Sequence, residues 1–134
     1  MAVAALAAIA VALVMLTREG AGIERTEMQI GEIPATLYAL PGTEGAPLVV
    51  IAHGFAGSRQ LMESFAITLA RNGCITVTFD FRGHGRNPRP LTGDITKVEG
   101  ATRVLLDELG RVARFARGLP GSDGRLAMLG HSMA

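Results

Sequence analysis

The last nine residues constrain this chain most. An apolar run, Leu126-Ala127-Met128-Leu129, passes without a spacer into Gly130-His131-Ser132-Met133-Ala134. An apolar strand ending in Gly-x-Ser-x-small has to turn sharply, and the small neighbours let the backbone fold beneath the serine. This is the sequence form of a nucleophile elbow, a tight strand-to-helix turn that presents its serine at the apex. Ala134 holds the place usually taken by glycine, and its methyl group fits less freely wherever that turn needs positive φ. A strand handing over to a helix in this manner implies an alternating α/β chain.

The preceding sequence has that alternation. Residues 24–30 and 33–40 read as two strands joined at Gly31-Glu32, a hairpin with alternation around Ala35, Leu37 and Ala39. Residues 41–45, Pro-Gly-Thr-Glu-Gly, are a loop by composition. Next comes Pro47-Leu48-Val49-Val50-Ile51-Ala52, a β-branched apolar run of the kind that suits a parallel strand covered on both faces. It closes on His53-Gly54-Phe55-Ala56-Gly57-Ser58. A helix is expected over 59–72, with Leu61, Met62, Phe65, Ala66, Leu69 and Ala70 on one stripe and Gly73 as its stop.

Residues 74–80 read as a further strand leading into Phe81-Arg82-Gly83-His84-Gly85-Arg86, and a polar, Pro-rich loop spans 87–95. Thr96-Lys97-Val98-Glu99 has the spacing of a capping box. Behind it Val98, Ala101, Leu105, Leu109, Val112 and Ala116 repeat at helical spacing, with Gly110 weakening the pattern. The last strand, 125–129, carries the elbow. Strand, helix, strand, helix, strand after a hairpin predicts an α/β fold with a mostly parallel sheet and flanking helices. In such sheets the active site lies beyond the carboxyl ends of the strands. The three conspicuous motifs, at 53–55, 80–85 and 130–132, all fall there.

The N-terminus is different material. Residues 2–16 are uninterrupted Ala, Val, Ile, Leu and Met, followed by Thr17-Arg18-Glu19-Gly20. The expectation is an apolar helix over residues 1–20, acting as a membrane anchor or signal-like segment ahead of a domain over 21–134. A span needs about 20 apolar residues. No basic n-region precedes the run, and Ala21-Gly22 makes a poor cleavage site. Arg18 on the C-terminal flank leans toward a cytoplasmic domain, one charge leaving the side open.

Composition removes other classes. With 134 residues, 49% of them hydrophobic, the chain has room for one small domain with a buried core. A net charge of +1 with interspersed signs leaves no footprint for nucleic acid. The single cysteine, Cys74, excludes a disulfide framework and a cysteine metal site, and the three histidines have no metal spacing. Gly83-His84-Gly85 is not a dinucleotide fingerprint, because Pro88 stands where the third glycine would be. No cofactor is implied.

Across roughly residues 23–134 the chain resembles the α/β-hydrolase family. The resemblance rests on three motifs in order: Val49-Val50-Ile51-Ala52-His53-Gly54-Phe55 as strand and oxyanion loop, Asp80-Phe81-Arg82-Gly83-His84-Gly85 as the Asp-x-Arg-Gly-x-Gly loop, and Gly130-His131-Ser132-Met133-Ala134 as the elbow. It implies an enzyme cleaving a small-molecule ester, thioester or amide with a Ser-acid-His triad. Ser132 would be the nucleophile, with the backbone N–H groups of Phe55 and Met133 as the oxyanion hole. In the family the acid and the histidine follow the serine, so the expectation is an N-terminal part of such a domain, catalytically silent alone. His53 and His84 are expected to be structural, and Asp80 to brace its loop by pairing with Arg82 or capping N–H groups. The alternative is a non-catalytic, membrane-tethered binding domain of the same fold.

Overall fold

In a computed structural model, which describes residues 1–132 apart from the side chains of Thr17 and Glu19, five strands form one mixed sheet with a helix on each face. The elements in order are α1 (Ala2–Glu19), β1 (Glu24–Ile30), β2 (Ile33–Ala39), β3 (Ala46–Ala52), a 3₁₀ turn (Arg59–Met62), α2 (Glu63–Arg71), β4 (Ile75–Phe79), a π turn (Val98–Thr102), α3 (Arg103–Arg117) and β5 (Ser122–Gly130). The sheet order is β1-β2-β4-β3-β5.

β3 is the axis of the sheet. It pairs in parallel with β4 on one side and with β5 on the other. Its alternate residues feed opposite cores: Leu48 and Val50 pack with Val112 and Ala116 of α3, while Val49 and Ile51 pack with Ala66 and Ala70 of α2. Apolar side chains on both faces are what a strand needs when helices cover it on both sides.

The expectation of a mostly parallel sheet is corrected. The β1–β2 hairpin is antiparallel, and β2 then pairs antiparallel with β4, so two of the four pairings run each way. The tight hairpin at Gly31-Glu32 reverses the chain without a crossover and makes β1–β2 antiparallel, and the sheet order then sets β2 beside β4 in the opposite sense.

Three local expectations are also corrected. The helix expected over 59–72 opens as a 3₁₀ turn, and its buried line is Met62, Ala66 and Ala70, with Leu61 and Phe65 exposed. The capping box at Thr96 does not form. The Thr96 hydroxyl donates to Asp94 Oδ1 at 2.6 Å, and the π turn begins at Val98 with no side-chain cap. Gly100, at φ −93° and ψ −123°, breaks the helical path, and regular helix starts only at Arg103. The membrane-spanning anchor is not supported: among the described residues no helix is long and apolar enough to cross a membrane. The apolar run of this helix, residues 2–16, reaches only about 22 Å at about 1.5 Å rise per residue, short of a hydrocarbon core of about 30 Å.

Candidate active site

The registers of the sheet bring the three motifs to one edge. Ala52 at the end of β3 stands opposite Phe79 of β4 and Gly130 of β5, so the loops beginning at His53, Asp80 and His131 leave the sheet side by side. The contact is fixed at the backbone, where the His131 N–H donates to the Ala52 carbonyl at 3.1 Å. Beyond it Ser132 adopts φ +61°. A serine in the left-handed region carries strain of about 1–2 kcal/mol, and such strain persists only where the surroundings over-determine it.

Gly54 is what makes room. A methyl group in place of its hydrogen would stand 2.8 Å from Ser132 Cβ and 2.9 Å from His131 Nδ1 and carbonyl oxygen, closer than real Cβ contacts come. After it the loop closes a turn in which the Gly57 N–H donates to the Gly54 carbonyl at 3.0 Å, with Ala56 at φ +56°. Two non-glycine residues in the left-handed region, Ala56 and Ser132, therefore lie within a few residues of the Gly54 contact.

His53 braces this loop from below. Its ring is fully buried. Nε2 accepts from the Phe81 N–H at 3.1 Å, which leaves the proton on Nδ1 to donate to the Gly54 carbonyl at 2.8 Å. Burial, opposed by that carbonyl, holds its pKa below the ordinary histidine value, and the nearby His84 lowers it further. A neutral imidazole with both nitrogens engaged is a structural tie between the β3 and β4 loops. Phe81 meets the His53 ring edge-on at 5.3 Å, and His84 meets Phe55 edge-on at 5.5 Å. The His84 Nδ1 is bonded to the Arg82 carbonyl at 3.0 Å.

Asp80 braces its loop, but its partner is not Arg82. Its carboxylate accepts from the backbone N–H groups of Arg59 at 2.7 Å and Arg86 at 3.0 Å, and it forms a short ion pair with the Arg59 guanidinium. Both side chains are buried. Gly85 lets the loop wrap this close, since a methyl group there would collide with the carboxylate. Arg82 turns the other way. Its N–H and Nε donate to Glu108 at 2.8 and 3.2 Å, and Glu108 is only 1% exposed although it sits in an amphipathic helix. Sequence reasoning missed Arg59 and Glu108. For Glu108 there was a signal, its place three residues after Leu105 and four before Val112 on the apolar stripe.

Of the three positions read from the sequence as catalytic, Ser132 stands at the end of β5 and Phe55 in the loop after β3, with Gly54 bridging them. Met133 lies outside the described residues. Among the described residues there is no group of His, Cys, Asp and Glu able to hold a metal ion.

Comparison with known proteins gives the chain a family. The family model described as serine aminopeptidase, S33, matches residues 43–133. An uncharacterized 31.7 kDa protein in the traX-finO intergenic region of Escherichia coli is 36% identical over 83 residues, 54% of this chain and 29% of that protein. The 2-succinyl-6-hydroxy-2,4-cyclohexadiene-1-carboxylate synthase of Salmonella agona (strain SL483) is 32% identical over 107 residues, 69% of this chain and 42% of that enzyme. The chain thus spans less than half the length of these relatives. Among solved structures, the thioesterase domain from the curacin biosynthetic pathway superposes with a TM-score of 0.57 at 25% identity, covering 84% of this chain and 38% of that one.

Proposed function

The chain belongs to the serine aminopeptidase S33 family of α/β hydrolases, and on that premise we propose that the protein carrying it is a serine hydrolase acting on an ester, thioester or amide of a small molecule. The observation that carries the reading is the strained Ser132 at φ +61° at the carboxyl end of β5, pressed against Gly54. A strained serine is costly to maintain, and such strain clusters at functional sites, active sites among them.

Ser132 Oγ attacks the carbonyl carbon while a base takes its proton, since a serine hydroxyl is a weak nucleophile otherwise. The oxyanion that forms is held by the N–H groups of Phe55 and Met133. Removing one such donor typically lowers the rate about 10²–10³-fold. Collapse expels the leaving group with a proton from the base, and water then releases the acyl group by the same steps in reverse roles. His53 does not serve as base, because both its nitrogens are engaged beneath the loop. His131 adjoins Ser132 on the elbow itself. The acid and the base are proposed to come from residues beyond position 134.

The test uses the complete protein. Ser132→Ala is expected to abolish fluorophosphonate labelling and hydrolysis of a small activated ester without changing the thermal unfolding profile by more than a few degrees. Labelling at the wild-type level would remove Ser132 from the mechanism. Absence of labelling in the unmodified protein would favour the binding-domain alternative.

Membrane association is a separate part of the proposal. Leu6, Ile9, Leu13 and Leu16 of α1 are exposed, and a helix apolar on all sides is covered by protein or lipid. Retention in the pellet through a high-salt wash, lost on deletion of residues 1–20, is the expected result. Protease accessibility of sealed vesicles would then give the side of the membrane.

A further inference from the structure

We propose that an apolar cavity of about 330 Å³ beside Phe55 receives an uncharged aliphatic chain of the substrate. The inference rests on the hydrolase reading and names its substrate class. Phe81 and Leu109 form part of the lining, with Leu91 and Ile95 from the loop after β4 and Leu105 from α3, and Phe55 belongs to it as well. The volume is at the small end of ligand pockets, roughly 300–1,000 Å³.

Its chemistry is one-sided. No charged side chain lines it, and Thr102 brings the only hydroxyl among its described residues. A sugar or charged group would lose its water there without gaining partners, which is costly. An alkyl chain loses only unfavourable contact with water. Exposed Phe55, Ile95 and Leu106 continue the apolar surface outward, and contiguous exposed apolar groups on an otherwise polar surface mark binding grooves.

The cavity is also built rather than incidental. Its outer wall is tied to the π turn through Asp94, whose carbonyl accepts from Lys97 at 3.3 Å and Ala101 at 3.2 Å. A methyl group on Gly93 would stand 2.9 Å from the Ala101 nitrogen, and one on Gly100 would collide with the Asp94 carbonyl. The loop therefore lies flat on the turn. The chain after the break at Gly100 brings Ala101 and Thr102 into the lining. Phe55 follows Gly54, the residue in contact with Ser132. Phe55 thereby links the cavity wall to the loop that touches Ser132.

Two ester series on the complete protein test this. One lengthens the acyl group of p-nitrophenyl esters from acetyl to decanoyl, and the other lengthens the alcohol of acetate esters. In one series kcat/KM is expected to rise about two- to fourfold per methylene until the cavity is full, and the series that rises says which side of the ester the chain comes from. Ile95→Asp, at a position 66% exposed, should cut the long-to-short preference about tenfold, and Leu106→Trp should move the optimum to shorter chains. Thermal unfolding of both variants shows that the fold is retained. Flat profiles in both series, or variants with the wild-type preference, overturn the proposal while leaving the hydrolase reading intact. No turnover of any ester, with no Ser132-dependent labelling, defeats the hydrolase reading and this proposal with it.

Discussion

Gly54 and Ser132 approach so closely that a methyl group on the glycine would stand 2.8 Å from the serine Cβ. Two motifs remote in sequence are thereby held in one geometry, and the position of the serine depends on a missing side chain. Gly54→Ala is expected to push the elbow away from the β3 loop. Displacements of about 1 Å at a reacting group can lower rates about 10²-fold. The expected result is a fall of that order in ester turnover by the complete protein, with Ser132 still labelled slowly by fluorophosphonate. Unchanged turnover would mean that the loop and the elbow are not coupled.

The buried Arg59–Asp80 pair ties the 3₁₀ turn after the β3 loop to the end of β4. Arg59 Nε also donates to Thr36 Oγ1 at 3.0 Å, so β2 joins the same cluster. Removing one partner leaves a buried charge uncompensated, at a cost of about 3–5 kcal/mol. Asp80→Asn and Arg59→Met should each lower stability by that amount in urea titration, and the double variant by clearly less than their sum. Additive losses would show that the two residues act separately.

The order of elements, the hairpin and all three loop motifs were legible in the sequence, because each rests on local rules: β-branched runs make strands, and glycines mark turns. What was not legible depends on distant partners. Asp80 pairs with Arg59 because β4 lies beside β2 and the loop after β3, and nothing near Asp80 in sequence announces this. Arg82 instead satisfies Glu108 on α3. The capping box failed for a related reason. Thr96 had a nearer acceptor in Asp94, and Gly100 lets the chain fold back where the helix pattern expected a first turn. The opposed directions of β2 and β4 follow from the sheet order, which periodicity does not contain.

His53 makes stability depend on pH. Burial lowers its pKa in the folded state below the value of about 6.5 that it has in the unfolded chain. Between those two values the unfolded chain binds more protons than the folded one, so stability rises with pH across that window. The contribution is fully present above about pH 6.5 and is lost as pH falls toward the folded-state pKa. Protonation would also set a second N–H against the donor of Phe81, which Nε2 accepts. The midpoint of urea unfolding should therefore fall from pH 7 to pH 5 more steeply in the wild type than in His53→Asn. Parallel profiles would show that His53 is not the group responsible.

The last prediction concerns residues 21–134 expressed by themselves. β5 pairs with β3 on one side, and among the described residues no strand pairs with its other edge. Met128 is 53% exposed there, and Leu126 and Leu129 are only partly buried. An open edge on a nine-residue strand with exposed apolar side chains is a template for pairing with other copies. Domains are stable by only about 5–15 kcal/mol, so an uncovered edge and face weigh heavily. The segment is expected to be aggregation-prone, to unfold without a sharp transition, and to turn over no ester, since Ser132 without a base remains an ordinary alcohol. Solubility, thermal unfolding and esterase turnover compared with the complete protein decide this. A soluble segment with a cooperative transition and Ser132-dependent turnover would overturn both halves, and would require a base among residues 21–134, with His84 the first to test.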